Sequence, residues 1–176
     1  DISQLGSAKI PSQLSFCRLL PDEKKLLSQT THDPLESLQD EPVYSEFELA
    51  GPRSNLYFDP SKAKCAIVTC GGLCPGINDV IRAIVMESQH TYKVASVLGI
   101  RFGLQGFIPE YGHEVMELNA DNVAHIHNFG GTILGSSRGP QPADDIVDAL
   151  ERMNISILYM IGGDGTMRAA QQIQQE

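Results

Sequence analysis

No apolar run in the chain approaches the ~18 residues that a membrane-spanning helix needs, so no such span is expected. The opening stretch "DISQLGSAKIPSQ" lacks both the basic start and the apolar segment of a secretory signal, and a cytoplasmic location is expected. Positive charge is scarce: 13 Lys and Arg stand against 22 Asp and Glu, for a formal net charge of −9. That balance argues against non-specific nucleic-acid binding, because a polyphosphate backbone needs a basic face to release its counterions. It leaves room for a small anionic ligand, since backbone amides can supply a local positive potential. Cysteines are few: Cys17, Cys65, Cys70 and Cys74. Cys70 and Cys74 are spaced too widely for a two-residue zinc knuckle, and no second ligand pair lies nearby. Reduced thiols packed in a core are expected rather than a metal or disulfide framework. Internal repeats and low-complexity tracts are also missing.

What is present reads as a globular chain, 41% hydrophobic and 20% charged, long enough at 176 residues to bury a substantial core. Residues 1 to about 60 carry prolines at 11, 21, 34, 42, 52 and 60 and no sustained period. This segment is expected to be an extended arm that wraps a body or a neighbouring subunit, with a short helix near "PDEKKLLSQ". From Lys64 short apolar runs alternate with amphipathic stretches, the pattern of a parallel sheet with crossover helices. Strands are expected at "CAIVT", which with its continuation holds Cys65 and Cys70, and at "KVASVLGI", "TIL" and "ISILYMI". Helices are expected at "INDVIRAIVMESQ", with Ile77, Ile81, Ile84 and Val85 on one stripe, and at "NADNVAHIHNFGG". A further helix is expected at "PADDIVDALERMN", with Ile146, Val147, Leu150 and Met153 inward, and another opens at "MRAAQQIQQE". "RFGLQGFIPEYGHEVMEL" has too many glycines for a helix and reads as a loop or hairpin excursion. The fold class is α/β, a Rossmann-like three-layer sandwich with a mostly parallel sheet.

Three glycine-bearing segments each follow an expected strand and precede a helix: Gly71, Gly72, Pro75 and Gly76; Gly135 to Gly139; and Gly162 to Thr166. In an open α/β sheet that edge is where ligands bind. Glycines let the backbone approach a phosphate, and unpaired amides at a helix start point at the anion. A lone glycine pair would be a tight turn, but three coordinated breaks with an arginine and an aspartate point to a phosphate site. It is not a standard one, because neither G-x-G-x-x-G nor G-x-x-x-x-G-K-[ST] occurs there. Asp164, between glycines at a strand end, suits a hard Mg²⁺ carried by a nucleotide, with helix capping as the plainer role. Arg138 suits neutralisation of phosphoryl oxygens. His125 and His127, two apart on an expected helix, cannot face the same way, and no histidine is given a catalytic role.

The segments "GGLCPGIND", "GGTILGSSRG" and "IGGDGT", in this order and spacing, resemble the phosphofructokinase family. "GPRSNLYFDP" and the run from "GIRFG" to "GSSRGPQ" look most like its ATP-dependent branch in plants and kinetoplastid protists. The similarity covers about residues 51 to 176, so the expected division is an arm over 1–50 and the N-terminal part of a nucleotide-binding domain over 51–176. The resemblance implies that Gly72 contacts nucleotide phosphates and that Arg138 with Gly139 bridges nucleotide and transferred phosphate. It also implies that Gly163, Asp164, Gly165 and Thr166 cradle the nucleotide, with Asp164 on Mg²⁺. ATP-dependent members have glycine where Gly165 stands and pyrophosphate-dependent ones typically have aspartate. ATP is therefore the implied donor, with pyrophosphate as the alternative. The implied reaction is transfer from MgATP to fructose 6-phosphate by a homo-oligomer, a tetramer, in the cytoplasm or in the glycosome of a kinetoplastid. Members continue beyond the point matching Glu176 to supply the base and most sugar contacts. The sheet is thus expected to be incomplete at the C-terminus, and the fragment alone to be inactive or to bind nucleotide only. Arg82 matches the first of two effector arginines in bacterial relatives, but Met86 stands at the second, so the resemblance does not imply that effector site here. NAD kinases and diacylglycerol kinases share the G-G-D-G-T loop but lack the two upstream segments.

Overall fold

A computed structural model describes residues 6–14, 18–27 and 46–176. Its contacts divide the chain into two compact units, Asp1–Tyr57 and Phe58–Glu176. Cys17, His32 and the last two residues of the expected helix, Ser28 and Gln29, lie outside the described residues.

In the first unit, β1 (Ile10–Pro11) pairs antiparallel with β4 (Asn55–Leu56), and β2 (Lys25–Leu27) pairs antiparallel with β3 (Glu46–Glu48). The helix expected at "PDEKKLLSQ" is therefore corrected to a turn and a strand over its described part. Pairing of Leu26 with Phe47 across the ribbon is a non-local choice that a local helical period does not register. Arg53 ties this unit together, donating to the carbonyls of Pro21 and Leu49.

The second unit is built on a four-stranded sheet. β5 (Lys64–Thr69) is central, flanked in parallel by β6 (Ser96–Ile100) and β8 (Ile157–Ile161), and β7 (Met116–Leu118) lies antiparallel on the far edge of β6. Side chains alternate across a strand, so β5 sends Cys65 and Ile67 to one face and Ala66 and Val68 to the other. On the first face they meet Ile77, Ile81 and Val85 of α1 (Ile77–Met86). On the second they meet Ile146 and Ala149 of α3 (Ala143–Arg152), with Ala169 and Ile173 of α4 (Asp164–Gln175) packed against the same cluster. This is the expected three-layer α/β arrangement. α1 runs on into a π-helical turn, Glu87–Thr91.

The expected glycine-rich excursion is present, and several other local expectations change. The glycine-rich excursion forms two short 3-10 turns, Gly103–Phe107 and Pro109–Tyr111, and returns as β7. The helix expected from Asn119 is only α2 (Ala120–Val123), capped by the Asn119 side chain, followed by a 3-10 turn at Ile126–Asn128. His125 and His127 thus do not share a helix. "TIL" is no strand: the Thr132 hydroxyl accepts from Leu134 N–H at 3.2 Å and the stretch turns between Gly131 and Gly135, both at positive φ. Cys70 sits one residue past the end of β5.

Candidate functional site

β5 and β8 are parallel neighbours, so the segments leaving them emerge at the same carboxyl edge of the sheet. Cys70 N–H donates to the Ile161 carbonyl at 2.8 Å, holding the two exits together. α4 begins at Asp164, so Asp164, Gly165 and Thr166 form its first helical turn rather than a loop ahead of it. Gly162 permits the fit. A Cβ there would run into the Thr166 side chain and stand 2.9 Å from the Cys70 carbonyl oxygen.

The middle segment is fastened to the first loop from both sides. The Ser136 hydroxyl donates to the Gly71 carbonyl at 2.6 Å, and Gly71 N–H donates to the Ser137 carbonyl at 3.3 Å. A fourth segment, the turn after β6, closes on it as well: a Cβ on Gly103 would stand 2.6 Å from the Ser137 hydroxyl, and Gly103 has φ +62°.

The result is a cavity of about 620 Å³. Of the expected residues, Gly72, Arg138, Gly139, Gly163, Gly165 and Thr166 line it. Asp164 is not among the lining residues. It is exposed in the first turn of α4, where the helix dipole favours a carboxylate. It does not cap the helix: Gly163 is the capping residue and no side-chain cap bond forms. Sequence reasoning missed Arg168, Gln172, Leu104 and Cys70, which also line the cavity. Gly165, Arg168 and Gln172 are spaced by three and four residues along α4 and so share a helical face, a spacing that marks them as neighbours in a helix beginning at Asp164. No carboxylate belongs to the lining, while two guanidinium groups do, so the cavity is locally cationic in a chain of net charge −9. No histidine lines it. Burial pushes the Cys70 thiol up to about 11, against a lowering hydrogen bond from the Leu104 backbone, so the thiol at the cavity wall stays protonated at neutral pH.

A second cavity, of about 500 Å³, shares Gly71, Gly72, Ser137 and Arg138 with the first and adds Gly130, Gly131 and Thr132. Arg138 therefore borders both. Among the described residues no group of three or more His, Cys, Asp and Glu is placed to hold a metal by itself. On α1, Arg82 is engaged with the Ala124 carbonyl at 3.2 Å, and Met86 packs against the core.

The phosphofructokinase family model matches residues 64–176. The ATP-dependent 6-phosphofructokinase of Trypanosoma cruzi is 42% identical over 170 residues, covering 89% of this chain and 35% of that protein. ATP-dependent 6-phosphofructokinase 7 of Arabidopsis thaliana is 44% identical over 138 residues, covering 78% and 28%. Among solved structures, Pichia pastoris phosphofructokinase in the T-state superposes with a TM-score of 0.58 at 27% identity, over 72% of this chain and 13% of that one. The chain thus spans about a third or less of the length of the relatives it matches.

Proposed function

The chain belongs to the phosphofructokinase family, and on that premise we propose that the protein transfers the γ-phosphoryl group of MgATP to the 1-hydroxyl of fructose 6-phosphate. The observation that carries this reading is the convergence of three glycine segments and two arginines on one cavity with no lining carboxylate.

Phosphoryl transfer asks little covalent chemistry of a protein, so the residues act by position and charge. The glycines at 71, 72, 163 and 165 leave the backbone free to approach phosphate oxygens. The N-terminus of α4 directs its unpaired amides at the same space. Arg138 and Arg168 offset the charge of a polyphosphate, and Arg138, bordering both cavities, is the group placed to follow charge onto the transferred phosphoryl.

Asp164 would hold Mg²⁺. Its carboxylate is exposed and has no hydrogen bond or ion pair among the described residues, and a single protein carboxylate fits an ion that arrives with its phosphates. When bound, that ion neutralises phosphoryl oxygens. Gly165 supports ATP over pyrophosphate as donor. It lines the cavity, and a side chain there would project into open space where the nucleotide is expected.

The test is a coupled assay of purified full-length protein with fructose 6-phosphate and either ATP or pyrophosphate, measuring fructose 1,6-bisphosphate. ATP should support turnover. Arg138→Ala should lower kcat about a hundredfold, while MgATP affinity measured by titration calorimetry changes far less. Turnover with pyrophosphate alone would establish the alternative donor. Product from neither, with ATP still bound, would leave a nucleotide-binding protein without this activity.

A further inference from the structure

Arg138 makes no hydrogen bond or ion pair among the described residues, so its location is inherited from the backbone of residues 135–139. That backbone turns at Gly135, where φ is +69°, immediately after the chain leaves the core at Leu134. The turn is held from inside the protein. The Thr69 hydroxyl, at the last position of β5 and 1% exposed, donates to the Gly135 carbonyl at 2.7 Å. Thr69 Oγ1 also lies 3.0 Å from the Thr132 hydroxyl, which in turn accepts from Leu134 N–H. The start of the segment is bracketed by a second buried polar side chain. Asn78, 2% exposed on the first turn of α1, donates to the Phe129 carbonyl at 3.0 Å and accepts from Ile133 N–H at 2.9 Å. β5 and α1 flank the first glycine loop, so one strand–loop–helix unit both forms one cavity wall and fixes the segment that carries Arg138.

We propose that Thr69 is a positioning residue for Arg138: its buried hydroxyl, by holding the Gly135 carbonyl, sets where the guanidinium stands relative to the first glycine loop. The inference rests on the reading of Arg138 as the phosphoryl-contacting arginine. The physical reason is twofold. Removing the hydroxyl leaves a part-buried carbonyl short of a partner, which the turn can relieve by moving toward water. A displacement of about 1 Å at a group that must meet a transferring phosphoryl is enough to cost about a hundredfold in rate. Binding of the nucleotide, by contrast, draws also on the first and third glycine loops and on α4, none of which bonds to the Thr69 side chain.

Thr69→Val removes the hydroxyl at nearly constant volume, and Thr69→Ser keeps it. In full-length protein, Thr69→Val is expected to lower kcat by about 10–100-fold with KM for MgATP within about threefold of wild type, and Thr69→Ser to return kcat to within about threefold. Hydrogen exchange at the amides of residues 135–139 should quicken at least about tenfold in Thr69→Val and stay at the wild-type rate in Thr69→Ser. A Thr69→Val protein with wild-type kcat overturns the proposal, whatever its exchange rates. So does a protein whose amides exchange faster evenly through β5 and α1, since that marks a core residue only. Should wild type transfer no phosphoryl group from either donor, the functional reading fails, and the exchange comparison alone decides whether the Thr69 hydroxyl holds this segment.

Discussion

Gly165 is the residue on which donor choice turns, and the structure shows why one substitution there would be informative. A Cβ at this position meets no atom within 4 Å, and the residue lines the cavity beside two arginines. Aspartate in the first turn of α4 is also favourable to the helix. Gly165→Asp should therefore fold as well as wild type while placing a negative charge where the nucleotide phosphates are proposed to lie. MgATP affinity should fall roughly tenfold, about 1.4 kcal/mol, at an unchanged melting temperature. Titration calorimetry with thermal unfolding reads both, and undiminished ATP affinity would remove Gly165 from the site. At this scale the sequence was informative about glycines and about Arg138, because glycine breaks after strands have a meaning that does not depend on distant neighbours. It was silent on Leu104 and Cys70, which reach the cavity only because β6 and β5 lie side by side. Asp164, expected in the nucleotide cradle, stands outside the lining, because the start of α4 at Asp164 was not legible in the glycine spacing.

Among the elements, the strands and helices with a strong period were legible. β5, α1 and α3 bury the faces their spacing implies, with Ile81 and Val85 fully buried on α1 and Ile146 on α3, whereas β8, expected as a buried strand, lies at the sheet edge and is only half-buried along its length. Failures fell where tertiary pairing or local side-chain bonds overrode the pattern: β2 against β3, and the Thr132 turn in place of a strand. The junction of β8 with α4 is the element-scale feature with the sharpest consequence. Gly162 faces the Thr166 side chain and the Cys70 carbonyl at contact too close for any Cβ, whereas Gly163, the next residue, has nothing within 4 Å. Gly162→Ala should cost about 1–3 kcal/mol through forced displacement of α4's first turn, and Gly163→Ala less than about 1 kcal/mol. Paired thermal or denaturant unfolding of the two variants checks this. Equal losses would mean that the junction has slack the structure does not show.

At the level of the molecule, the chain is acidic, yet its candidate site is cationic, and the site and its support lie within one unit. Every residue of both core clusters and both cavities falls after Phe58, and the first unit holds its own two small sheets. Two-stranded ribbons of two and three residues are marginal by themselves, whereas a sheet covered on both faces is not. Nucleotide binding should then be a property of the second unit. A variant of the complete protein from which residues 1–57 are deleted is expected to bind MgATP within about twofold of the intact protein, the tolerance for independent parts of one structure, and to unfold cooperatively. Calorimetry on the two proteins measures the affinity, and light scattering on the same samples reports whether the missing segment was needed for subunit assembly. Retained binding with a smaller assembly would assign residues 1–57 to contacts between copies. Lost binding in a protein that still unfolds cooperatively would mean that the first unit contributes to the nucleotide site directly, against the division of labour that the core and cavity residues indicate.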